Sequence, residues 1–125
     1  MSNEQLPGEQ NVVLAKSFAF AVRVVKLNKH LRFSQQEYVL SKQLVRSGTS
    51  IGANVEEAIG GISKADFSAK MSIAYKEARE TSYWLRLLYE ADCLEVKLFD
   101  SLHTDCQELC RILFSILRTT GRVSC

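Results

Sequence analysis

The sequence predicts an all-α fold, an antiparallel up-down-up-down four-helix bundle, from three observations. Apolar residues recur at intervals of three and four over four long stretches. Turn formers are too scarce for a β architecture. The 125 residues hold 6 glycines and the single proline Pro7, whereas a sandwich or barrel needs a turn signal every 8–12 residues or so, about twice that supply. The breaks between the stretches are short, which sets successive helices side by side in opposite directions. With 46% hydrophobic and 24% charged residues, the chain can pack one core, and residues 1–125 are expected to form one domain.

The first helix is expected over residues 12–32, with Asn11 as its N-cap. Val13, Phe20, Val24, Leu27 and Leu31 lie on one side, with Leu14, Phe18, Ala21 and Val25 beside them. That arc is wider than the stripe of about 100° a surface helix of a monomer buries. The excess must meet a crowded core or another subunit, so a homo-oligomer is expected. The rest of the helix is basic. Lys16, Arg23 and His30 recur every seven residues on one line, Lys26 lies beside them, and Lys29 and Arg32 extend the patch. No acidic residue stands within the segment to form i, i+4 pairs. A solvated polar face is the commonest fate of such a row. A face of one sign is less ordinary, and it makes Lys16, Arg23, Lys26, Lys29, His30 and Arg32 a candidate nucleic-acid-binding surface.

The second helix is expected over residues 35–59. Ser34-Gln35-Gln36-Glu37 matches a capping box, and Gly60-Gly61 follows as a stop. Leu40, Leu44, Ile51, Val55, Ala58 and Ile59 form its apolar stripe, with Gly48 and Gly52 within or beside it. Each glycine costs a helix about 1 kcal/mol relative to alanine. Two of them on the contact face predict close approach of a neighbouring helix; a loop around Ser47–Ser50 is the competing possibility. Gly48-Thr49-Ser50-Ile51-Gly52 lacks the Gly-Lys-Ser/Thr ending of a phosphate loop.

The third helix is expected over residues 64–91, after Ser63 as N-cap with Asp66 at the third position. Phe67, Met71, Ala74, Ala78, Thr81, Leu85 and Leu88 form its seam. A second face carries Ile73, Trp84 and Leu87 with Glu77 and Glu80 among them. The fourth helix is expected over residues 95–118, with Leu98, Leu102, Leu109, Leu113 and Ile116 as its main stripe.

Charge is unevenly spread. Residues 1–50 hold seven Lys/Arg against three Glu, residues 51–86 hold five of each sign, and residues 87–125 hold four basic against six acidic residues. No stretch is apolar enough to span a bilayer, and the first ten residues carry Glu4 and Glu9 but no basic start for a signal peptide. A cytoplasmic protein with no membrane partner is expected. Its cysteines Cys93, Cys106, Cys110 and Cys125 are then expected as reduced thiols. His103, Cys106 and Cys110 share one helical face and could begin a zinc site, but no CxxC pair or fourth ligand accompanies them. No metal and no cofactor are expected.

Arg46, Ser50, Asn54 and Glu57 form a polar row at the border of the second helix's apolar stripe. Glu77, Glu80 and Thr81 on the third helix are its natural partners, with Trp84 nearby. Charge pairing across the two helices would fix their register. No nucleophile stands in the pattern beside these groups, so the row is read as structural rather than catalytic, and no enzymatic activity is expected.

The string from Leu44 to Ala58, LVRSGTSIGANVEEA, resembles the signature of the four-helix-bundle proteins encoded in intervening sequences of bacterial 23S rRNA genes. Asp66-Phe67 and the string from Ile73 to Leu85, IAYKEARETSYWL, carry the same resemblance. The accessory variability protein of diversity-generating retroelements shares the general pattern. The resemblance implies a cytoplasmic bundle assembled into a ring-shaped homopentamer with no established enzymatic activity. It assigns Arg46, Ser50, Asn54, Glu57, Glu77, Glu80 and Trp84 to fold or assembly. Its accessory relatives bind nucleic acid and a reverse transcriptase through basic surfaces. The expected function is that of an oligomeric RNA- or DNA-binding accessory protein using the basic face of the first helix. The alternative is a scaffold that recruits a basic protein partner to the acidic stretch between Glu90 and Glu108.

Overall fold

The computed structural model describes residues 8–120. Pro7, Cys125 and the other residues of 1–7 and 121–125 lie outside the described residues. Within them the chain forms four helices and no strand: α1 (Gly8–Phe33), α2 (Val39–Ile59), α3 (Lys64–Glu90) and α4 (Val96–Thr119). The principal packed pairs are α1 with α2, α2 with α3, α3 with α4, and α1 with α4. Contacts run in opposite numerical order along each pair. Gly48 lies against Val24 and Gly52 against Ser17. Arg46 meets Glu77 while Glu57 meets Lys70. Cys106 meets Ala78 while Thr120 meets Ser68. Lys16 meets Glu108 while Arg23 meets Ser101.

The core follows the helical periodicity. Val13, Phe20, Val24, Leu27 and Leu31 of α1 face Leu44, Ile51, Val55 and Ala58 of α2 across a continuous apolar interior. Met71, Ala74, Ala78, Leu85 and Leu88 of α3 complete it with Leu102, Cys106, Leu109, Leu113, Ile116 and Leu117 of α4. The stripe ends Leu40, Ile59, Phe67 and Leu98 are half-buried against it.

Helix ends depart from expectation where local hydrogen bonding decides. α1 starts at Gly8, so Asn11 lies inside the helix rather than capping it. The Ser34–Glu37 capping box does not form. The Ser34 N–H donates to the His30 carbonyl at 2.9 Å and so closes α1. Gln36 turns into the left-handed region (φ 56°), and α2 begins at Val39. Glu37 caps it through its carboxylate, which accepts from the N–H groups of Val39, Leu40 and Ser41 at 3.3, 3.2 and 2.7 Å. A helix leaves its first N–H groups unpaired, and an anion there also suits the helix dipole. Ser63 caps α3 as expected, accepting from the Asp66 N–H at 3.0 Å. α2 runs unbroken through Gly48 and Gly52, so no loop forms at Ser47–Ser50.

α3 ends in a Schellman motif: the Cys93 N–H donates to the Leu88 carbonyl and the Asp92 N–H to the Tyr89 carbonyl. Asp92 holds the left-handed position (φ 62°) that glycine usually fills. Asp92→Gly is therefore expected to raise the unfolding free energy by about 0.5–1 kcal/mol. Urea denaturation checks this; a lower midpoint with an unchanged slope contradicts it.

Candidate functional site

Each of the four seams between neighbouring helices carries a different chemistry. The α1/α4 seam is ionic. Lys16 Nζ lies 3.0 Å from a Glu108 carboxylate oxygen, and Arg23 donates to Asp105 at 2.6 Å and to Ser101 at 2.9 Å. Two of the six residues of the first helix's basic row are thus paired across the seam, by a neighbouring helix rather than within the segment. The same pairs engage part of the acidic stretch proposed as a landing site for a basic protein. Lys26, Lys29, His30 and Arg32 remain exposed toward the C-terminal end of α1. They form no salt bridge among the described residues. His30 and Arg32 stand in the last turn, where the helix dipole favours positive charge.

The α1/α2 seam is apolar on its outer side. Leu14, Phe18 and Ala21 of α1 and Thr49, Gly52 and Ala53 of α2, with Glu56 at one end, line a shallow groove of about 250 Å³. Phe18 is 67% exposed, and Val22 and Val25 continue the greasy face. The wide apolar arc of the first helix therefore divides: one half enters the core, and the outer half around Phe18, Val22 and Val25 stays exposed among the described residues.

The α2/α3 seam is polar and charged. Arg46 donates to Glu77 at 3.1 Å and to the Glu80 carboxylate. Glu80 also accepts from the Trp84 indole N–H at 2.8 Å. Glu57 pairs with Lys70 at 3.1 Å. Ser50 and Asn54 do not cross the seam. Each donates to the carbonyl four residues earlier on α2, Arg46 at 2.6 Å and Ser50 at 2.8 Å. Thr81 crosses instead to Ser47, at 2.9 Å within the buried interior. Ser47 lies one residue inward of the row, which is why a border-row pattern passes over it. This network joins helices and leaves neither Glu77 nor Glu80 free of Arg46.

The α3/α4 seam is cationic and aromatic. A groove of about 1070 Å³ is lined by Arg79 and Arg86 of α3, Arg111 and Arg118 of α4, and Tyr83 and Phe114 among others. All four arginines are exposed and form no salt bridge among the described residues. The Arg79 and Arg86 guanidiniums lie 5.9 Å from the ring centres of Tyr75 and Tyr83, and Arg79 donates to the Tyr75 hydroxyl at 3.2 Å. The positive field reaches the nearby thiols. A hydrogen bond from Cys106 lowers the Cys110 pKa, and Arg79 and Arg111 lower it further against the effect of burial. Cys106 is buried, hydrogen-bonded with Cys110, and pushed up.

Sequence reasoning missed this groove. Counts over residues 51–86 and 87–125 averaged the arginines with acids such as Glu77, Asp105 and Glu108, which pair across other seams. The legible signal was a spacing of seven in each of two successive helices: Arg79 and Arg86, Arg111 and Arg118.

His103, Cys106 and Cys110 do not converge on a common centre. His103 Nε2 lies 3.0 Å from the Ser82 hydroxyl, its ring stacks on Phe99, and Cys106 faces the Ala78 carbonyl. Burial, and then Arg86, lower the His103 pKa. No cluster of three or more His, Cys, Asp or Glu able to hold a metal occurs among the described residues. No helix among them is long and apolar enough to cross a membrane.

No curated protein matches the chain. Among solved structures, the chain is similar to a protein of unknown function of the S23 ribosomal protein family from Bacteroides thetaiotaomicron. The two share 48% identity with a TM-score of 0.86 over 88% of this chain and 98% of that one. The profile of the 23S rRNA-intervening sequence proteins matches residues 9–115. A match over nearly all the described residues, together with the two sequence strings on α2 and α3, places the chain in a family: it belongs to the 23S rRNA-intervening sequence proteins.

Proposed function

We propose that this chain is a non-enzymatic, cytoplasmic accessory protein. In this reading it is an antiparallel up-down-up-down bundle that assembles into a ring-shaped homo-oligomer, a pentamer by family resemblance, and binds nucleic acid, RNA foremost. The inverted order of contacts along every packed pair supports the antiparallel arrangement. The unpartnered apolar face around Phe18 supports assembly. The observation that carries nucleic-acid binding is the exposed basic end of α1, where Lys26, Lys29, His30 and Arg32 form no salt bridge among the described residues. Copies arranged around a ring would multiply these contacts. Phosphate contacts add, and each makes affinity fall as salt rises.

Light scattering on the purified protein is expected to give a multiple of the 14.1 kDa chain mass, and Phe18→Glu is expected to reduce it. A monomer at micromolar concentration rejects the assembly. Retention of labelled oligo(U) is expected at low salt and to decline steeply as salt rises. Its loss in Lys26→Glu/Lys29→Glu/Arg32→Glu locates the contact on α1. Lys16 and Arg23 are left intact in that variant because reversing them would break the α1/α4 ion pairs.

A further inference from the structure

We propose that the α3/α4 groove is a binding site for a single strand of nucleic acid, with phosphates on its four arginines and bases against its aromatic rings. The proposal rests on the nucleic-acid reading above and adds a site on a different face from the α1 cations. It stands on the order of side chains along the groove. Tyr75 and Phe114 meet with ring centres 5.8 Å apart, and Ser82 meets His103 at 3.0 Å. These two pairs fix the register of α3 against α4. From one end, the groove then presents Arg118, the Tyr75/Phe114 pair, the level of Arg79 and Arg111, Tyr83, and Arg86. Cations and rings alternate over about 20 Å at 1.5 Å per helical residue.

That alternation is what a single strand needs. Its phosphates take the charge, and its unstacked bases offer a π-face to any aromatic ring irrespective of sequence. Arginine suits the phosphates because its planar fork can donate two parallel N–H bonds to phosphate oxygens. Duplex bases are already stacked and hidden from side chains on a helix surface, so a duplex would gain the charge term alone. The groove also has little competing acid. Glu80 is the acidic residue on its lining, and Arg46 and Trp84 already hold it. Asp105 and Glu108, on the same helix as Arg111 and Arg118, turn to α1. Tyr83 is 50% exposed, and a base stacking on it would meet the Arg86 guanidinium, which lies 5.9 Å from the ring centre.

The test is fluorescence anisotropy with a labelled 15-nucleotide oligo(U) on the full chain. The variants are Arg79→Gln/Arg111→Gln, Tyr83→Ala and Lys26→Glu/Lys29→Glu/Arg32→Glu. Circular dichroism and light scattering establish that each keeps the fold and assembly of the parent. The arginine pair is expected to weaken binding about tenfold or more and to flatten its salt dependence. Tyr83→Ala is expected to weaken it about fivefold with the salt dependence unchanged. A duplex of equal length should bind less tightly than the strand. Loss only in the groove variants supports the proposal and removes α1 as the contact, while nucleic-acid binding itself stands. Loss only in the α1 variant overturns the groove. Competition by polyglutamate as effective as by unlabelled oligo(U), with Tyr83→Ala unaltered, overturns the strand in favour of a general acidic ligand. No binding to the parent at 50 mM salt (about the low end at which such contacts are strongest) overturns both sites together.

Discussion

Gly48→Val is expected to lower the unfolding free energy by about 3 kcal/mol, the upper part of the range for overpacked interiors. A Cβ built on Gly48 would sit 2.8 and 2.9 Å from the two γ-carbons of Val24 and 3.2 Å from its Cβ. Val24 cannot swing aside. Its β-branched side chain has one strongly preferred rotamer in a helix, and the residue is completely buried. Nor can α1 retreat locally, because one turn further along Gly52 faces the Ser17 backbone at 3.3 Å from the same notional Cβ position. Alanine at 48 gains about 1 kcal/mol of helix propensity against the same clash, so Gly48→Ala should cost less than Gly48→Val. Combining Gly48→Ala with Val24→Ala removes the colliding methyls and should recover part of the loss. A double-mutant cycle by urea denaturation measures that coupling. If Gly48→Val unfolds at the parent's midpoint, the α1/α2 approach is looser than a 2.8 Å contact with Val24 requires.

The four helices and most of their core faces were legible because burial follows the 3.6-residue repeat whatever the side-chain detail. Leu44, Ile51, Met71, Leu85, Leu109 and Leu113 are all fully or almost fully buried where the periodicity puts them. The glycines on α2 were legible for a similar reason: a residue that disfavours helices, set on a contact face, must serve the contact. Helix starts were less legible. Ser34 and Glu37 satisfy the capping pattern in sequence, but α1 continues far enough to use the Ser34 N–H itself. A local motif cannot register competition from the preceding helix. The basic surfaces were least legible. The one-sided row on α1 is visible in one dimension, yet Lys16 and Arg23 meet acids from the far end of the chain. The arginines of α3 and α4 form one surface only after the two helices pack. Charge becomes a surface through tertiary pairing, which segment counts do not contain.

Arg46→Leu is expected to destabilise the protein by about 2 kcal/mol. That is below the 3–5 kcal/mol typical of breaking a fully buried pair, because water reaches this one. The Arg46 side chain is 48% exposed, and Glu80 is 34% exposed, but Glu77 is only 16% exposed. Removing the cation leaves two carboxylates one helical turn apart, the inner one poorly hydrated, with nothing to offset their repulsion. The loss should therefore exceed the worth of the contacts deleted. Adding Glu77→Gln to Arg46→Leu removes the stranded charge and should restore roughly half of it, as a coupling energy in the cycle. Trp84, the single tryptophan, gives an independent readout because its indole N–H donates to Glu80. Its emission should shift in Arg46→Leu as Glu80 is freed toward water, and shift back little in the double variant, where Glu80 is still unpaired. Stability restored without recovery of the emission would separate the electrostatic cost at Glu77 from the positioning of Glu80. Stability equal to the parent's in Arg46→Leu alone would mean that the seam is held by Thr81–Ser47 and the apolar interior, and that the arginine contributes nothing to register.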